Sequence, residues 1–161
     1  MNFKQAPLPF QGQKRNYLKL FKEKLQDFPN DAIYVDLFGG SGLLSHTVKH
    51  VYPKAKVIYN DFDNYSERLQ NVQKTNQLLS DLRELLKDYP RSKKLDEYHK
   101  SKVIDRIENE CGFIDWRTIS GSILFAMKYA YSIEELKKET MYNRIRKTDY
   151  KSDGYLNGLD I

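Results

Sequence analysis

The sequence predicts an α/β fold with a parallel sheet in its first part and a helical insertion after it. Three observations carry this. Two short apolar runs, residues 32–36 and 56–60, end in Asp36 and in Asn60-Asp61. Between them, residues 42–51 have the character of a helix stopped by Pro53, and a strand–helix–strand order implies a right-handed crossover between parallel strands. Beyond Asn64, apolar residues recur at helical spacing for most of the way to Lys147.

Residues 14–28 place Tyr17, Leu18, Phe21, Leu25 and Phe28 on one helical face with lysines opposite, and Pro29-Asn-Asp31 stops that helix. The mixed apolar run 32–36 suits a buried parallel strand. It runs into Gly39, Gly40 and Gly42, which can turn tightly and present bare backbone to a ligand. Asn64-Tyr-Ser-Glu67 has the form of a capping box that opens a long helix, with Leu69, Val72, Leu79, Leu82, Leu86 and Tyr89 in phase up to Pro90. A charged connector, residues 91–94, leads to a helix holding Leu95, Tyr98, Val103, Ile104 and Ile107, with Gly112 as its stop. Trp116, Ile119, Ile123, Met127 and Ala130 form another stripe, read as core, and Ser132-Ile-Glu-Glu135 caps a further helix. The organisation expected is an α/β region over 1–66, a helical insertion over 67–150, and the opening of another strand over 151–161.

A hydrophobic fraction of 40% permits a real core, and 30% charged residues keep the surface solvated. No apolar run is long enough to span a bilayer, and the single cysteine, Cys111, excludes an internal disulfide. A reducing, cytoplasmic setting without a membrane is the expectation. The net charge of +5 is compatible with a polyanionic partner. Near the end, Asn143, Arg144, Arg146 and Lys147 are interleaved with Tyr142, Tyr150 and Tyr155, which suits either nucleic-acid contact or a solvated face. His46 and His50 stand at i and i+4, a zinc-compatible spacing, but no third ligand is near, so they read as packing residues and no metal is expected.

The chemistry concentrates around the glycines. Gly40-Ser-Gly42-Leu-Leu-Ser45 approximates a dinucleotide fingerprint, and no Gly-Lys-Ser/Thr follows to make a phosphate loop. Asp36, just ahead of the glycines, would repel a pyrophosphate. It suits a cofactor that is positively charged or offers an amine, as S-adenosylmethionine does. Asp61 and Asp63 lie about 20 residues past the turn, where an acid grips ribose hydroxyls in such folds.

Three segments stand in a telling order: Phe10-Gln-Gly12-Gln-Lys14, Asp36-Leu-Phe38-Gly-Gly40-Ser-Gly42, and Asn60-Asp61. In this the chain resembles the Dam-like DNA adenine-N6 methyltransferases, specifically over residues 7–66 and loosely beyond. The resemblance implies the front half of a Rossmann-like methyltransferase sheet, S-adenosylmethionine as cofactor and double-stranded DNA as partner. It places Phe10 over the cofactor, with Gly12 and Lys14 completing the pocket. Asp36, Phe38, Gly39, Gly40 and Gly42 would face the cofactor's amino-acid end, and Asp61 with Phe62 its nucleoside. Asn143, Arg144, Arg146 and Lys147 fall near the place of a DNA-reading element. The family's Asp-Pro-Pro-Tyr signature is absent, since the five prolines include no adjacent pair. No catalytic residue is therefore assigned, and these 161 residues are expected to be the front part of an enzyme, inactive alone. The rival readings are a non-catalytic module that binds S-adenosylmethionine or nucleic acid, and a methyltransferase acting on RNA or protein.

Overall fold

The computed structural model describes residues 3–161, which divide into two compact units. One comprises the chain up to Gln70 with Lys151–Ile161, and the other is Asn71–Tyr150.

In the first unit a 3-10 turn, Lys14–Tyr17, leads into α1 (Leu18–Leu25), followed by β1 (Ile33–Asp36), α2 (Leu43–Val51), β2 (Lys56–Tyr59) and α3 (Tyr65–Gln70). β1 and β2 pair in parallel, with Ile33 opposite Lys56 and Asp36 opposite Tyr59, the pairing that a helical crossover demands. Leu25, Val48 and Val57 form the core between α1, α2 and the sheet, with Phe21, Tyr34, Val51 and Tyr52 packed around it. Because the first turn is 3-10, Tyr17 leaves the apolar face and is exposed, as is Phe28 beyond the helix end. In the tail, residues 153–158 are turns. Its Asp160 makes one parallel bridge to Ile58, so β2 is hydrogen-bonded along both edges. Among the described residues β1 has only β2 as neighbour, and Ile33, Val35 and Leu37 stand exposed on it and just past it.

His46 is buried on α2 with both ring nitrogens engaged. Nδ1 donates to the Tyr155 carbonyl at 2.8 Å, and Nε2 accepts from the Phe3 amide at 3.2 Å. The ring stacks on Tyr155 at 4.9 Å. Burial lowers its pKa below 6.5, and the nearby His50 and Lys22 add to this. A depressed folded-state pKa means that the unfolded chain binds more protons, so this contribution is full above pH 6.5 and is lost as pH falls through and below it. Melting temperature should therefore drop between pH 7.5 and pH 5, and His46→Gln should flatten that part of the profile.

The second unit holds α4 (Val72–Leu85), α5 (Glu97–Glu108), α6 (Trp116–Ile123) and α7 (Ile133–Lys138). Leu79, Leu82, Val103, Ile107, Ile119, Ile123, Leu136 and Ile145 are among its fully buried core. Three helices start on side-chain caps: Asp96 accepts from the His99 amide, Asp115 from Thr118, and Ser132 from Glu135. The long helix expected from Asn64 to Pro90 is interrupted at Asn71, and its second part ends at Leu85. Asn64 does not act as a cap, having a left-handed backbone with φ 52°. The stripe from Trp116 to Ala130 also breaks. α6 stops at Ile123, Leu124 is extended, and residues 125–131 form a loop that exposes Phe125, Met127 and Tyr131.

Candidate cofactor site

The turn after β1 is shaped by Tyr59, whose buried ring lies directly beneath it. A Cβ on Gly39 would sit 2.1 Å from that ring, so position 39 is glycine for want of space. Gly40 and Gly42 are glycine for conformation as well, with φ of 51° and 70°. The Tyr59 hydroxyl lies 2.7 Å from the Gly40 carbonyl and 3.0 Å from an Asp61 oxygen, joining the two loops. Burial and the Asp61 charge raise its pKa strongly, so it remains a neutral donor. The Asn60 amide donates to the Leu37 carbonyl at 2.9 Å, a second tie between the same loops.

A third segment comes from the N-terminal side. Leu8 exchanges two backbone hydrogen bonds with the Tyr65 hydroxyl, at 2.9 and 3.2 Å, and Arg68 donates to the Pro9 carbonyl at 2.9 Å. This fixes the strip against α3 and turns the Phe10 ring edge-on to Tyr65, 5.7 Å away. A Cβ on Gly40 would meet Phe10 at 3.1 Å, so this ring and the bare glycine turn are in close approach.

Together the three segments enclose a cavity of about 450 Å³. Phe10, Gly12 and Lys14 line one side, Phe38, Gly39 and Gly40 another, and Asn60, Phe62 and Asp63 a third. Phe38 is 92% exposed and Phe62 87%, two aromatic rings held open beside polar groups. Seven of the ten residues expected at a cofactor are thus brought together here.

The model for D12 class N6 adenine-specific DNA methyltransferases matches residues 10–153, which include every wall of this cavity. The chain belongs to that family. It is also 39% identical to a Haemophilus influenzae protein that is named, by inference, a methyltransferase. That match takes in 99% of this chain and 56% of the relative, so the chain spans about half of the relative's length. No solved structure matches.

Three of the expected residues lie outside this cavity. Asp36 accepts a 2.7 Å hydrogen bond from Ser45 Oγ and lines a separate hollow of about 220 Å³ with Phe21, Tyr34 and Val35. Gly42 caps α2, with Leu156 in contact range of any Cβ added to it. Asp61 is the true cap of α3. Its carboxylate accepts from the amides of Tyr65 (2.6 Å) and Ser66 (2.8 Å), from the Ser66 hydroxyl and from Tyr59. Asp63, by contrast, faces the cavity. Sequence spacing could not rank these two carboxylates, because a cap and a ligand contact both call for an acid just past the strand.

In the second unit Asn143 is buried, and its amide donates to the Tyr89 carbonyl at 2.7 Å and to that of Leu86 at 3.3 Å. It braces the end of α4 and presents nothing at the surface for DNA. Arg146 lies over the Tyr150 ring at 4.0 Å, Lys147 is exposed, and Arg144 lies over Phe125 at 5.6 Å. Among the described residues no helix is long and apolar enough to cross a membrane, and no cluster of three or more His, Cys, Asp or Glu could hold a metal.

Proposed function

We propose that this chain binds S-adenosylmethionine in the 450 Å³ cavity and is the cofactor-holding part of a DNA adenine-N6 methyltransferase. The observation that carries the reading is the convergence of Phe10, the glycine turn and Phe62 from three distant segments on one cavity, in a chain of the methyltransferase family. The residues fit the group. Exposed Phe38 and Phe62 offer flat apolar faces to an adenine, and the Asp63 carboxylate and Asn60 amide suit hydroxyls and amines. The glycines let backbone approach where any side chain would collide. When bound, the cofactor supplies a methyl group activated on a sulfonium.

The chain's own part is positioning. Phe10 closes over the site and keeps water from it, Tyr59 and Asn60 hold the two loops at fixed separation, and Lys14 stands at the rim. Orientation of this kind supplies much of the rate of an in-line transfer. An acceptor adenine would have to leave the base stack to present its exocyclic amine. Nothing among these 161 residues matches the Asp-Pro-Pro-Tyr turn that holds that amine in the family, so we place that function outside them.

The two acids separate the roles of ligand and support. Asp63→Ala should weaken S-adenosylmethionine binding about tenfold or more, the scale of one charge-assisted hydrogen bond, and leave melting unchanged. Asp61→Ala should lower the melting temperature through loss of a cap worth about 1 kcal/mol. It should also weaken binding, because the loop carrying Phe62 and Asp63 loses its anchor. Titration calorimetry and thermal melts on both variants test this. Unchanged affinity in Asp63→Ala refutes the assignment of that carboxylate, and absence of binding by the wild-type chain refutes the cofactor reading.

A further inference from the structure

The segment Lys151–Ile161 belongs to the first unit and sets a tyrosine behind the glycine turn. Leu156 lies 3.0 Å from where a Cβ on Gly42 would stand. Tyr155, next to it in sequence, is 1% exposed, and Ser41, next to Gly42, is 4% exposed. The Tyr155 ring is fixed on three sides. It stacks on His46 at 4.9 Å and meets Phe3 and Tyr65 edge-on, at 5.0 and 6.3 Å. Its carbonyl accepts from His46 Nδ1 at 2.8 Å, so the backbone is held as firmly as the ring.

A ring gripped in this way would serve equally well as phenylalanine, yet the residue carries a hydroxyl. That hydroxyl is buried and has no hydrogen-bond partner among the described residues. A buried polar group without a partner is a net cost to the folded chain, so packing does not account for it. Burial raises its pKa strongly, Tyr65 adds to this, and the Ser41 hydroxyl acts against it. The Tyr65 hydroxyl is already committed to Leu8 through two bonds. Ser41 belongs to the turn itself. It is flanked by Gly40 and Gly42, whose backbone freedom lets the turn adjust its angles around it.

We propose that Tyr155 is a positioning residue for the cofactor turn: when S-adenosylmethionine settles against the glycines, Ser41 Oγ closes onto the Tyr155 hydroxyl and fixes the turn in its bound form. This rests on the reading of the cavity as the cofactor site. The free chain then carries an unpaired hydroxyl and the loaded chain a paired one. A ligand shifts a turn only through interactions that favour one form over the other, and this bond is such an interaction.

The test compares wild type, Tyr155→Phe, Ser41→Ala and the double variant of the 161-residue chain, by titration calorimetry with S-adenosylmethionine and by thermal melts. Tyr155→Phe should melt at or above the wild-type temperature and yet bind about fivefold more weakly, the scale of one net hydrogen bond. A purely structural residue would not separate the two readouts in that direction. Ser41→Ala should weaken binding by about the same factor, and the double variant no further, because the two hydroxyls act as one pair. With tyrosine Cζ labelled with carbon-13, the resonance that Tyr155→Phe removes should shift when cofactor is added to the wild type. Unaltered affinity in Tyr155→Phe overturns the proposal, as does a double variant whose loss is the product of the single ones. A lower melting temperature in Tyr155→Phe overturns it too, since the hydroxyl would then be paired already in the free chain. Each of these outcomes leaves wild-type binding intact, whereas a wild type that binds no S-adenosylmethionine removes the cofactor reading and this proposal together.

Discussion

Gly39→Val should abolish cofactor binding and lower the melting temperature by roughly 10 °C. The position does not require unusual backbone angles; it requires empty space. An added Cβ would lie 2.1 and 2.2 Å from two carbons of the Tyr59 ring and 2.9 Å from the Asn60 carbonyl. Tyr59 cannot swing aside, because its side chain is 1% exposed and its hydroxyl is tied to Gly40 and Asp61. Overpacking of a rigid site costs about 3 kcal/mol, and about 3 °C is lost per kcal/mol in a chain of this size. The functional effect is larger than the loss of stability. Relief of the clash must separate the glycine turn from the loop after β2, which moves Gly40 and Phe62 apart and opens the cavity between them. Calorimetry below the melting temperature separates the two effects. A folded Gly39→Val chain that binds S-adenosylmethionine normally would show that the cavity is not the cofactor site.

Much of the site was legible because its logic is local. A strand that ends in Leu37-Phe38-Gly39-Gly40 must turn, and the turn must leave backbone bare, whatever packs around it. The strands were found to within a residue at each end, since apolar runs bounded by Pro, Asn and Gly have few other places to begin and stop. What the sequence hid was competition between roles for one residue type. Asp61 has the spacing of a ribose ligand and the surroundings of a helix cap, and only coordinates reveal its donors. Asn143, set among basic residues, has a surface pattern in sequence, yet its amide is needed inside to satisfy carbonyls at the end of α4. The loop at Phe125 was hidden for another reason. Ile123 to Met127 keeps helical spacing, while the chain leaves the helix at Leu124, whose extended backbone lets Tyr142 donate to the Ile123 carbonyl at 2.7 Å. A tertiary hydrogen bond there replaces a helical one, and periodicity has no access to that choice.

These 161 residues alone should give no methyl incorporation into unmethylated duplex DNA from labelled S-adenosylmethionine. Holding the donor is only half of the reaction. The amine of adenine is a poor nucleophile until its lone pair is freed from the ring, which needs a polar group aimed at the nitrogen and an aromatic face on the base. In the cavity the polar side chains are Gln11, Lys14, Asn60 and Asp63. The Asn60 side chain already gives one N–H to the Leu37 carbonyl, and Lys14 is a cation that would repel a developing positive amine. The geometry of the sheet points the same way. Parallel strands are normally covered on both faces, yet β1 leaves Ile33 and Val35 exposed and, among the described residues, has a neighbour on one side only. An additional strand beside β1 would pair its open edge, and a layer packed over the face that carries Ile33 and Val35 would bury them; such a segment would bring an amine-holding turn to the end of the sheet where Phe38 and Gly39 already stand. A chain extended by a segment bearing Asp-Pro-Pro-Tyr should then transfer methyl groups, and Ile33 and Val35 should become protected in that chain from surface labelling. Sustained turnover by the 161 residues themselves would mean that Asp63 or another cavity group orients the acceptor, and would move the chemistry inside the unit described above.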